Sequence, residues 1–261
     1  MKDVSLCTAI FSGARGMSVP MDRALDMTAR AGFRYVEFSN DDTPPDRFHT
    51  LVESSGLEVW SVHGCLEAEA AGADRGQREK AIDAEIERME KRACFAPCPY
   101  VIHYLSRIND RSLDPYWHDS VGRVLEKSSS LGFLLAVETV AYKPEKNERH
   151  PKTEEVVDFV RSFGSDKIGI CMDVNHSNTD EILTDAVRTC EDLIATIHVS
   201  DNQGEREQHL LPGDGIIDFD ETMTAAREAG YEGPLNLECL TEGEKTLELF
   251  VRLRKWAQAR P

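Results

Sequence analysis

The chain has 261 residues, of which 41% are hydrophobic and 30% are charged, and its formal net charge is −17 at pH 7. This length can bury one large core or at most two small ones. No apolar run approaches the roughly 20 residues of a membrane-spanning helix, and the negative charge disfavours a nucleic-acid partner, because binding to phosphates depends on lysine and arginine.

Eight apolar, β-rich runs alternate with helical patterns along the chain. In order, the strand-like runs are VSLCTAIF (4–11), YVEFS (35–39), EVWSVHG (58–64), YVIHYL (100–105), LLAVETV (134–140), IGICMDV (168–174), IATIHVS (194–200) and PLNLECL (234–240). The segments between them have apolar residues at helical spacing, as in MDRALDMTARAG and EKAIDAEIERMEKRA. The predicted helix stops are Gly32, Gly56, Gly132, Gly164 and Gly230.

This alternation predicts an α/β fold. Continuous apolar strands that alternate with helices indicate parallel strands covered by helices. Eight such units in about 250 residues match the size of a (β/α)8 barrel, so we predict a TIM barrel that forms a single domain over residues 1–261. A doubly wound open sheet is the structural alternative, but FSGARGMS after the first strand matches its Gly-rich turn poorly.

The connections between these elements differ in length. Those from helix to strand are short, as in AGFR and SSGL, whereas those that leave strands are long, as in HGCLEAEAAGADRGQ and TVAYKPEKNERHPK. In a barrel all strand-to-helix loops lie on the C-terminal face, where active sites form. We therefore expect the functional site on that face, with loops 65–80, 141–152 and 201–217 selecting the substrate.

Ionisable residues end six of the predicted strands. They are His63, His103, Glu138, Asp173, His198 and Glu238. Side chains alternate along a strand, so the residue two positions earlier faces the same way. Those residues are small or of modest size: Ser61, Val101, Ala136, Cys171, Thr196 and Asn236. This pattern predicts an inward-facing layer beneath a pocket whose floor is formed by the six ionisable side chains.

Burying six ionisable groups in one ring, without a metal or partner cations, would cost several kcal/mol per charge. The ring therefore predicts a divalent cation. Glu138, Asp173, His198 and Glu238 come from the fifth to eighth strands and offer three carboxylates and one imidazole. This set suits one Mn²⁺ ion, with Mg²⁺ and Co²⁺ also possible and Zn²⁺ not excluded. His176 lies just beyond Asp173, where the loop bends over the pocket.

These motifs carry a family resemblance over essentially the whole chain. SVHG, VIHY, AVETV, CMDVNH, IHVSD, HLLPGDGIIDF and LNLEC follow one another in this order. Each motif alone is weak, but seven in register on eight strands are specific. The sequence resembles the sugar-phosphate isomerase/epimerase superfamily, the xylose-isomerase-like barrels that include the ketose 3-epimerases and AP endonuclease family 2.

The resemblance to the ketose 3-epimerases implies roles for individual residues. One metal would be held by Glu138, Asp173, His198 and Glu238. The two glutamates would also serve as the catalytic acid/base pair that moves a proton beside a metal-chelated carbonyl. The substrate-binding positions that we carry over or expect at the site are His63, His103, His176, Arg206, His209 and Glu37.

The loop motif HLLPGDGIIDF also has a structural interpretation. Pro212, Gly213 and Gly215 predict a turn, and Asp218 is placed to cap the helix that begins near DFDETM. We expect this turn to be structural and His209 to face the site.

The main functional prediction is a metal-dependent isomerase or epimerase acting on a ketose, a keto-sugar or a cyclitol. An inosose-type dehydratase would share its first step. A zinc-dependent AP endonuclease-like phosphodiesterase is a further alternative, because three sets of residues match the ligand positions of that family, with Glu207 standing where the family has an aspartate. The sets are His63, His103 and Glu138; Glu138, Asp173, His198 and Glu238; and His176, Glu207 and His209. A non-catalytic sugar-binding barrel is disfavoured by the intact ligand set.

The expected partner is a small-molecule sugar, with no nucleic acid and no membrane, and homo-oligomerisation stays open. A phosphate group on the substrate is not strongly implied, since the candidate contacts each read better as solvated loop charges: Arg75, Arg107, Lys143, Arg149 and Arg206. The seven cysteines are scattered and odd in number, and the N-terminus has no convincing cleavage site, so we expect reduced thiols, no signal peptide and a cytoplasmic location.

Overall fold

A computed structural model describes residues 3–11, 18–39, 43–104, 111–141, 151–241 and 243–261. Eight parallel strands close into a barrel in chain order, and β1 pairs with β8. The strands are β1 Val4–Cys7, β2 Tyr35–Phe38, β3 Glu58–His63, β4 Pro99–His103, β5 Leu134–Glu138, β6 Ile168–Asp173, β7 Ile194–Val199 and β8 Leu235–Leu237. The predicted (β/α)8 barrel is confirmed.

All eight strands are shorter than the apolar runs that predict them, and the difference is largest in β1 and β8. β1 stops at Cys7, because Thr8–Phe11 turns into a 3₁₀ helix. β8 stops at Leu237, so Glu238 lies one residue beyond the strand that was expected to end with it. Both differences fall at the C-terminal rim of the barrel, where polar side chains replace the apolar alternation.

Helices cover the outside of the barrel. They are α1 Met21–Ala31, α2 Pro45–Ser55, α3 Arg75–Lys91, α4 Asp114–Leu131, α5 Thr153–Arg161, α6 Val174–Ser177, α7 Leu183–Thr189, α8 Phe219–Glu228 and α9 Leu247–Gln258. The predicted stop at Gly132 is representative, since its φ of 88° is left-handed and its N–H bonds to Ser129 O at the end of α4. None of the helices among the described residues is both long and apolar enough to span a membrane.

The strands are buried by one apolar layer outside the barrel and another inside it. The outward-facing strand residues, such as Val62, Ile102 and Val137, belong to the outer layer and have no exposed surface. Inside the barrel Val101, Ala136 and Cys171 form a separate small cluster, again without exposed surface. These three belong to the inward layer that strand alternation predicts, and their modest size leaves room for the polar side chains above them.

The lower part of the barrel is closed by an aromatic side chain. Trp60, near the middle of β3, donates from Nε1 to Oγ1 of Thr196 on β7 at 3.0 Å. The two strands are not neighbours, so this bond crosses the barrel interior. The ionisable strand-end side chains lie above this bond, in the C-terminal half of the barrel.

Candidate active site

The six strand-end side chains come together at the C-terminal rim. Strand register fixes two of the neighbours, because His103 pairs with Glu138 and Asp173 pairs with His198. Five of the six residues are buried: His63, Glu138, Asp173, His198 and Glu238. The sixth, His103, has a side chain that is 41% exposed. It therefore lies at the mouth of the pocket and not on its floor.

Glu138, Asp173, His198 and Glu238 form what we term the central cluster. Each offers one candidate ligand atom, and these four atoms lie within 4.8 Å of one another. His198 Nδ1 is 2.8 Å from Oε1 of Glu138 and 3.0 Å from Oε2 of Glu238. A single ring nitrogen thus meets two carboxylates from strands on either side of the barrel opening.

The oxygens of the central cluster are incompletely partnered. Glu138 Oε2, Asp173 Oδ2 and Glu238 Oε2 are buried without a hydrogen bond among the described residues. Buried carboxylate oxygens normally have hydrogen-bond partners or metal ligation. Three free oxygens that converge with one imidazole nitrogen fit a divalent cation with a preference for oxygen ligands, such as Mn²⁺ or Mg²⁺.

The electrostatics of the central cluster favour a cation in the same way. Burial, reinforced by Glu238 and Glu138, raises the pKa of Asp173 to about 6 despite the attraction of His176. Burial also opposes the charge on Glu238, but the nearby His198 outweighs it and lowers the pKa of Glu238 to about 2. Within the central cluster three carboxylates face the single imidazole of His198, and Asp173 is the one whose pKa is raised.

Two further histidines approach Glu138. Its Oε2 is 3.0 Å from Nε2 of His103 and 3.4 Å from Nε2 of His63, although neither contact has hydrogen-bond geometry. His63 Nδ1 bonds to Gly64 O at 2.9 Å, which turns its Nε2 towards the pocket. His63, His103 and Glu138 therefore form a second group with metal-ligand spacing beside the central cluster.

His176 is held by the residues around Asp173. It lies in the four-residue helix α6, whose N-terminus is capped by Asp173, with Oδ1 accepting from His176 N at 3.0 Å. The Nδ1 atom of His176 donates to Thr139 O at 2.7 Å, so its Nε2 faces Glu207 at 3.6 Å. The sequence predicts that the chain bends over the pocket at His176, and in the structure this bend is formed by the short helix α6.

The loop after β7 brings two more side chains to the rim. His209 Nε2 is 2.9 Å from Glu207 Oε1, and His209 Nδ1 is 3.1 Å from the carbonyl oxygen of Glu238. His209 has a positive φ of 50°, a conformation that non-glycine residues adopt at a cost. His176, Glu207 and His209 form a third group with metal-ligand spacing.

Asp201 fixes this loop. It is buried, and its carboxylate accepts backbone N–H groups from Asn202, Gly213, Gly215 and Ile217 at 2.9–3.2 Å. The backbones of Asp201 and Leu210 also exchange two hydrogen bonds, at 2.9 and 2.8 Å. The predicted structural turn, which contains Gly213 and Gly215, therefore folds around the carboxylate of Asp201, next to His209. Asp218 caps α8 as the sequence predicts.

Two predicted substrate-binding residues lie apart from the pocket. Glu37 has no exposed surface and is hydrogen-bonded to Ser61 and His198 beneath the central cluster. Arg206 is exposed, and no polar contact among the described residues joins its side chain to the site. The loop cations Arg107, Lys143 and Arg149 fall outside the described residues.

Sequence reasoning missed the residues that support this site from behind. Thr139 accepts from the N–H of Asp173 with Oγ1 and from His176 with its carbonyl. Asp201 organises a loop through main-chain contacts. The available signals were weak: a threonine directly after Glu138 in AVETV, and an aspartate three residues after His198 in IHVSD.

Comparison with known proteins agrees with this architecture. The sequence matches the xylose isomerase-like TIM barrel family over residues 25–259, and the chain belongs to this family. It is 40% identical over 252 residues to the uncharacterized protein y4fM of Sinorhizobium fredii, covering 82% of this chain and 79% of that protein. The solved structure of an L-ribulose 3-epimerase superposes with a TM-score of 0.81 at 19% identity, covering 98% of this chain and 93% of that one.

Several relatives are sugar epimerases. The L-ribulose-5-phosphate 3-epimerase UlaE of Escherichia coli O1:K1 / APEC is 23% identical over 261 residues, covering 90% of this chain and 88% of the enzyme. The match to a D-psicose 3-epimerase of Enterocloster bolteae is 31% identical over 86 residues, covering 33% of this chain and 27% of that protein.

Proposed function

We propose that this member of the xylose isomerase-like barrels is a divalent-metal-dependent ketose epimerase or isomerase. The observation that carries the proposal is the convergence of Glu138 and Glu238 on His198 Nδ1, each with a buried oxygen that lacks a hydrogen bond. The sugar epimerases among the relatives support the same reaction class. The substrate is proposed to be a ketose or a related keto-sugar or cyclitol.

The central cluster would hold the metal, with Mn²⁺ preferred because three of the four ligands are carboxylates. When bound, such an ion acts as a Lewis acid that polarises a carbonyl and acidifies the neighbouring C–H bond. Asp173 contributes Oδ2, since its Oδ1 is engaged at the N–H of His176. His198 contributes Nδ1, which faces the two glutamates.

The two glutamates differ in their surroundings, although both are held as carboxylates that can accept a proton. Burial opposes the charge on Glu138, but His103 and His198 outweigh it and hold the pKa of Glu138 well below its usual value. Glu238 has the larger exposed side-chain fraction, 11% against 1%. In the proposed reaction one glutamate removes the proton from carbon and the other, or water, returns it on the opposite face.

The surrounding histidines would bind and orient the sugar. His63 and His103 lie on one side of the pocket, and His176 and His209 lie on the other. Imidazole nitrogens can donate to or accept from hydroxyl groups. The backbone carbonyls of Gly64 and Thr139 fix two of these rings, so that their Nε2 atoms are presented to the pocket.

The test is a screen of ketoses and inososes with Mn²⁺-loaded protein in deuterated water. An epimerase incorporates one solvent deuterium at the carbon beside the substrate carbonyl and yields the epimer. Loss of water from an inosose would instead assign the dehydratase. Product formation without solvent exchange would contradict proton transfer through the glutamates and indicate an intramolecular hydride shift.

A second candidate is a zinc-dependent phosphodiesterase. It is favoured by one observation: His63, His103 and Glu138, and His176, Glu207 and His209, each have metal-ligand spacing in addition to the central cluster. Metal content separates the two functions. One tightly bound ion per chain supports the epimerase, whereas three zinc ions and cleavage of an abasic DNA substrate would support the phosphodiesterase.

A further inference from the structure

Glu37 lies behind His198 and faces away from the pocket. Its Oε2 is 3.0 Å from Nε2 of His198, on the side of the ring opposite to Glu138 and Glu238. Both Glu37 and His198 have no exposed surface. A sugar in the pocket therefore cannot reach Glu37, and this carboxylate needs a role other than the substrate contact that the family resemblance implied.

The position of Glu37 is set by strand pairing. The register between β2 and β3 shifts between Val36 and Glu37, which pairs Glu37 with Ser61. Ser61 donates from Oγ to the same Oε2 atom at 2.6 Å. The extra residue of this shift is Trp60 in β3, whereas Glu37 keeps the regular alternation of β2, which points its side chain into the barrel. Glu37 Oε2 thus receives two donors from fixed strand positions, and it is held in a single orientation beneath His198.

We propose that Glu37 is a positioning residue that orients His198 and places its ring hydrogen on Nε2, so that Nδ1 presents a lone pair to a divalent cation in the central cluster. An ionised carboxylate only accepts hydrogen bonds, so the ring nitrogen that faces it must carry the hydrogen. Nδ1 faces the carboxylates of Glu138 and Glu238, and with a cation among these groups the ring would be neutral and Nδ1 would be its acceptor nitrogen. A carboxylate behind a ligating histidine fixes the tautomer and ring orientation and strengthens the ligand.

This inference rests on the proposed metal-dependent function and adds to it a determinant of metal affinity outside the four ligands. The test is the dissociation constant of Mn²⁺ for metal-stripped protein, followed by the paramagnetic resonance signal of free Mn²⁺. The absorption spectrum of the Co²⁺-loaded protein is a second readout, because it reports the ligand field at the metal and does not depend on turnover.

Glu37→Gln is the informative variant, because it keeps the shape of the side chain but offers an amide that can donate to Nε2. We expect Mn²⁺ affinity to fall about 10–100-fold and the Co²⁺ spectrum to shift. Glu37→Asp, which keeps the acceptor charge, should recover part of the affinity. Ser61→Ala should weaken binding less, in the same direction. Ser120→Ala, which removes a buried hydrogen bond to Ala70 O away from the site, should bind like wild type.

The outcomes distinguish this inference from the proposed function. If Glu37→Gln binds Mn²⁺ within about twofold of wild type but raises the KM for sugar, Glu37 contacts substrate and the inference is overturned while the epimerase stands. If wild type binds no divalent ion, the metal-dependent function and the inference fail together. Should Glu37→Gln not fold, Glu37→Asp and Ser61→Ala decide the matter, and wild-type affinity in both would overturn the inference.

Discussion

The carboxylate of Asp173 caps the short helix that carries His176. Oδ1 accepts the backbone N–H of His176 at 3.0 Å, whereas Oδ2 is buried without a hydrogen bond among the described residues. The two oxygens thus have separate tasks, one in local structure and one facing the central cluster. The two tasks can be separated experimentally, because asparagine is as good a helix cap as aspartate but carries no charge.

Asp173→Asn is expected to retain the fold and lose metal affinity. Removing a residue that hydrogen-bonds to a metal ligand lowers metal affinity about 10–100-fold. Replacing a charged ligand itself should lower the affinity at least as much. Titration of stripped protein with Mn²⁺ gives the dissociation constant, and urea unfolding without metal gives the stability. Asp218→Asn is the matched control, because Asp218 caps α8 away from the site. Equal Mn²⁺ affinity in wild type and Asp173→Asn would remove Asp173 from the ligand set.

Glu138→Gln and Glu238→Gln are each expected to lower kcat about 10²–10⁴-fold, since an amide cannot accept the carbon-bound proton. Deuterium incorporation into the substrate should fall in parallel. The Mn²⁺ affinity should change much less than kcat, because each glutamine keeps one oxygen for the metal. Glu87→Gln, on the exposed face of α3, is the control. Near-wild-type turnover in either active-site variant would rule out the paired-glutamate mechanism.

Metal removal is expected to lower thermal stability. A ligand present at 100 times its dissociation constant stabilises the folded state by about 2.7 kcal/mol. In a domain of this size each kcal/mol corresponds to about 2–4 °C, so chelation should lower Tm by about 5–10 °C. Calorimetric scans with and without saturating Mn²⁺ measure the shift. Asp173→Asn should show a smaller shift at the same Mn²⁺ concentration, and an identical shift would locate the bound ion elsewhere.

Asp201→Ala is expected to destabilise the protein by about 2–4 kcal/mol, because it leaves four backbone donors without their acceptor. Urea unfolding measures this loss. The kcat/KM for sugar should also fall, since the loop that carries His209 loses its anchor. Asp214→Ala removes an exposed carboxylate from the same loop and should change neither quantity. Equal stability of the two variants would contradict the anchoring role.

Gly215→Ala is expected to disturb the site more than Gly213→Ala does. A Cβ at Gly215 would overlap Oδ1 of Asp201 and the carbonyl oxygen of Asn202. Gly213 has open space around it and a φ of +94°, so alanine there adds only local strain of about 1–2 kcal/mol. The two variants should differ in kcat/KM, with Gly215→Ala the lower. A larger activity loss in Gly213→Ala would show that backbone strain, not crowding at Asp201, governs the loop.

The strand-borne part of the candidate site was predictable from sequence. Glu138 and Asp173 follow apolar runs, and in a parallel barrel the ends of such runs meet on one rim. Their inward direction follows from the two-residue period of a strand, which the buried Ala136 and Cys171 obey. The chain length and the alternation of strands with helices were therefore enough to predict the fold. The ionisable residues at the strand ends were enough to predict which side chains meet at the rim.

The partner of Glu37 and the loop contacts were not predictable in this way. Strand alternation directs Glu37 into the barrel, but its contact with His198 joins β2 to β7, and one sequence contains no signal for such a pairing. Arg206 extends into solvent, although its place in the chain suggested the pocket. The positions of loop side chains depend on contacts with residues distant in sequence. Here Asp201 accepts the N–H groups of Gly213, Gly215 and Ile217, and no local periodicity encodes these contacts.

The hydrogen bonds of Asp201 bear on how members of this family can vary in sequence. Its carboxylate binds the N–H of Ile217 as well as that of Asn202, so the two ends of the loop are tied to each other and not only to the barrel. We therefore expect changes of composition in residues 203–206, which precede the site residues Glu207 and His209, to leave β7 and α8 in place. Grafting that segment between family members is therefore expected to vary the rim of the pocket while the proposed proton-transfer residues, Glu138 and Glu238, are retained.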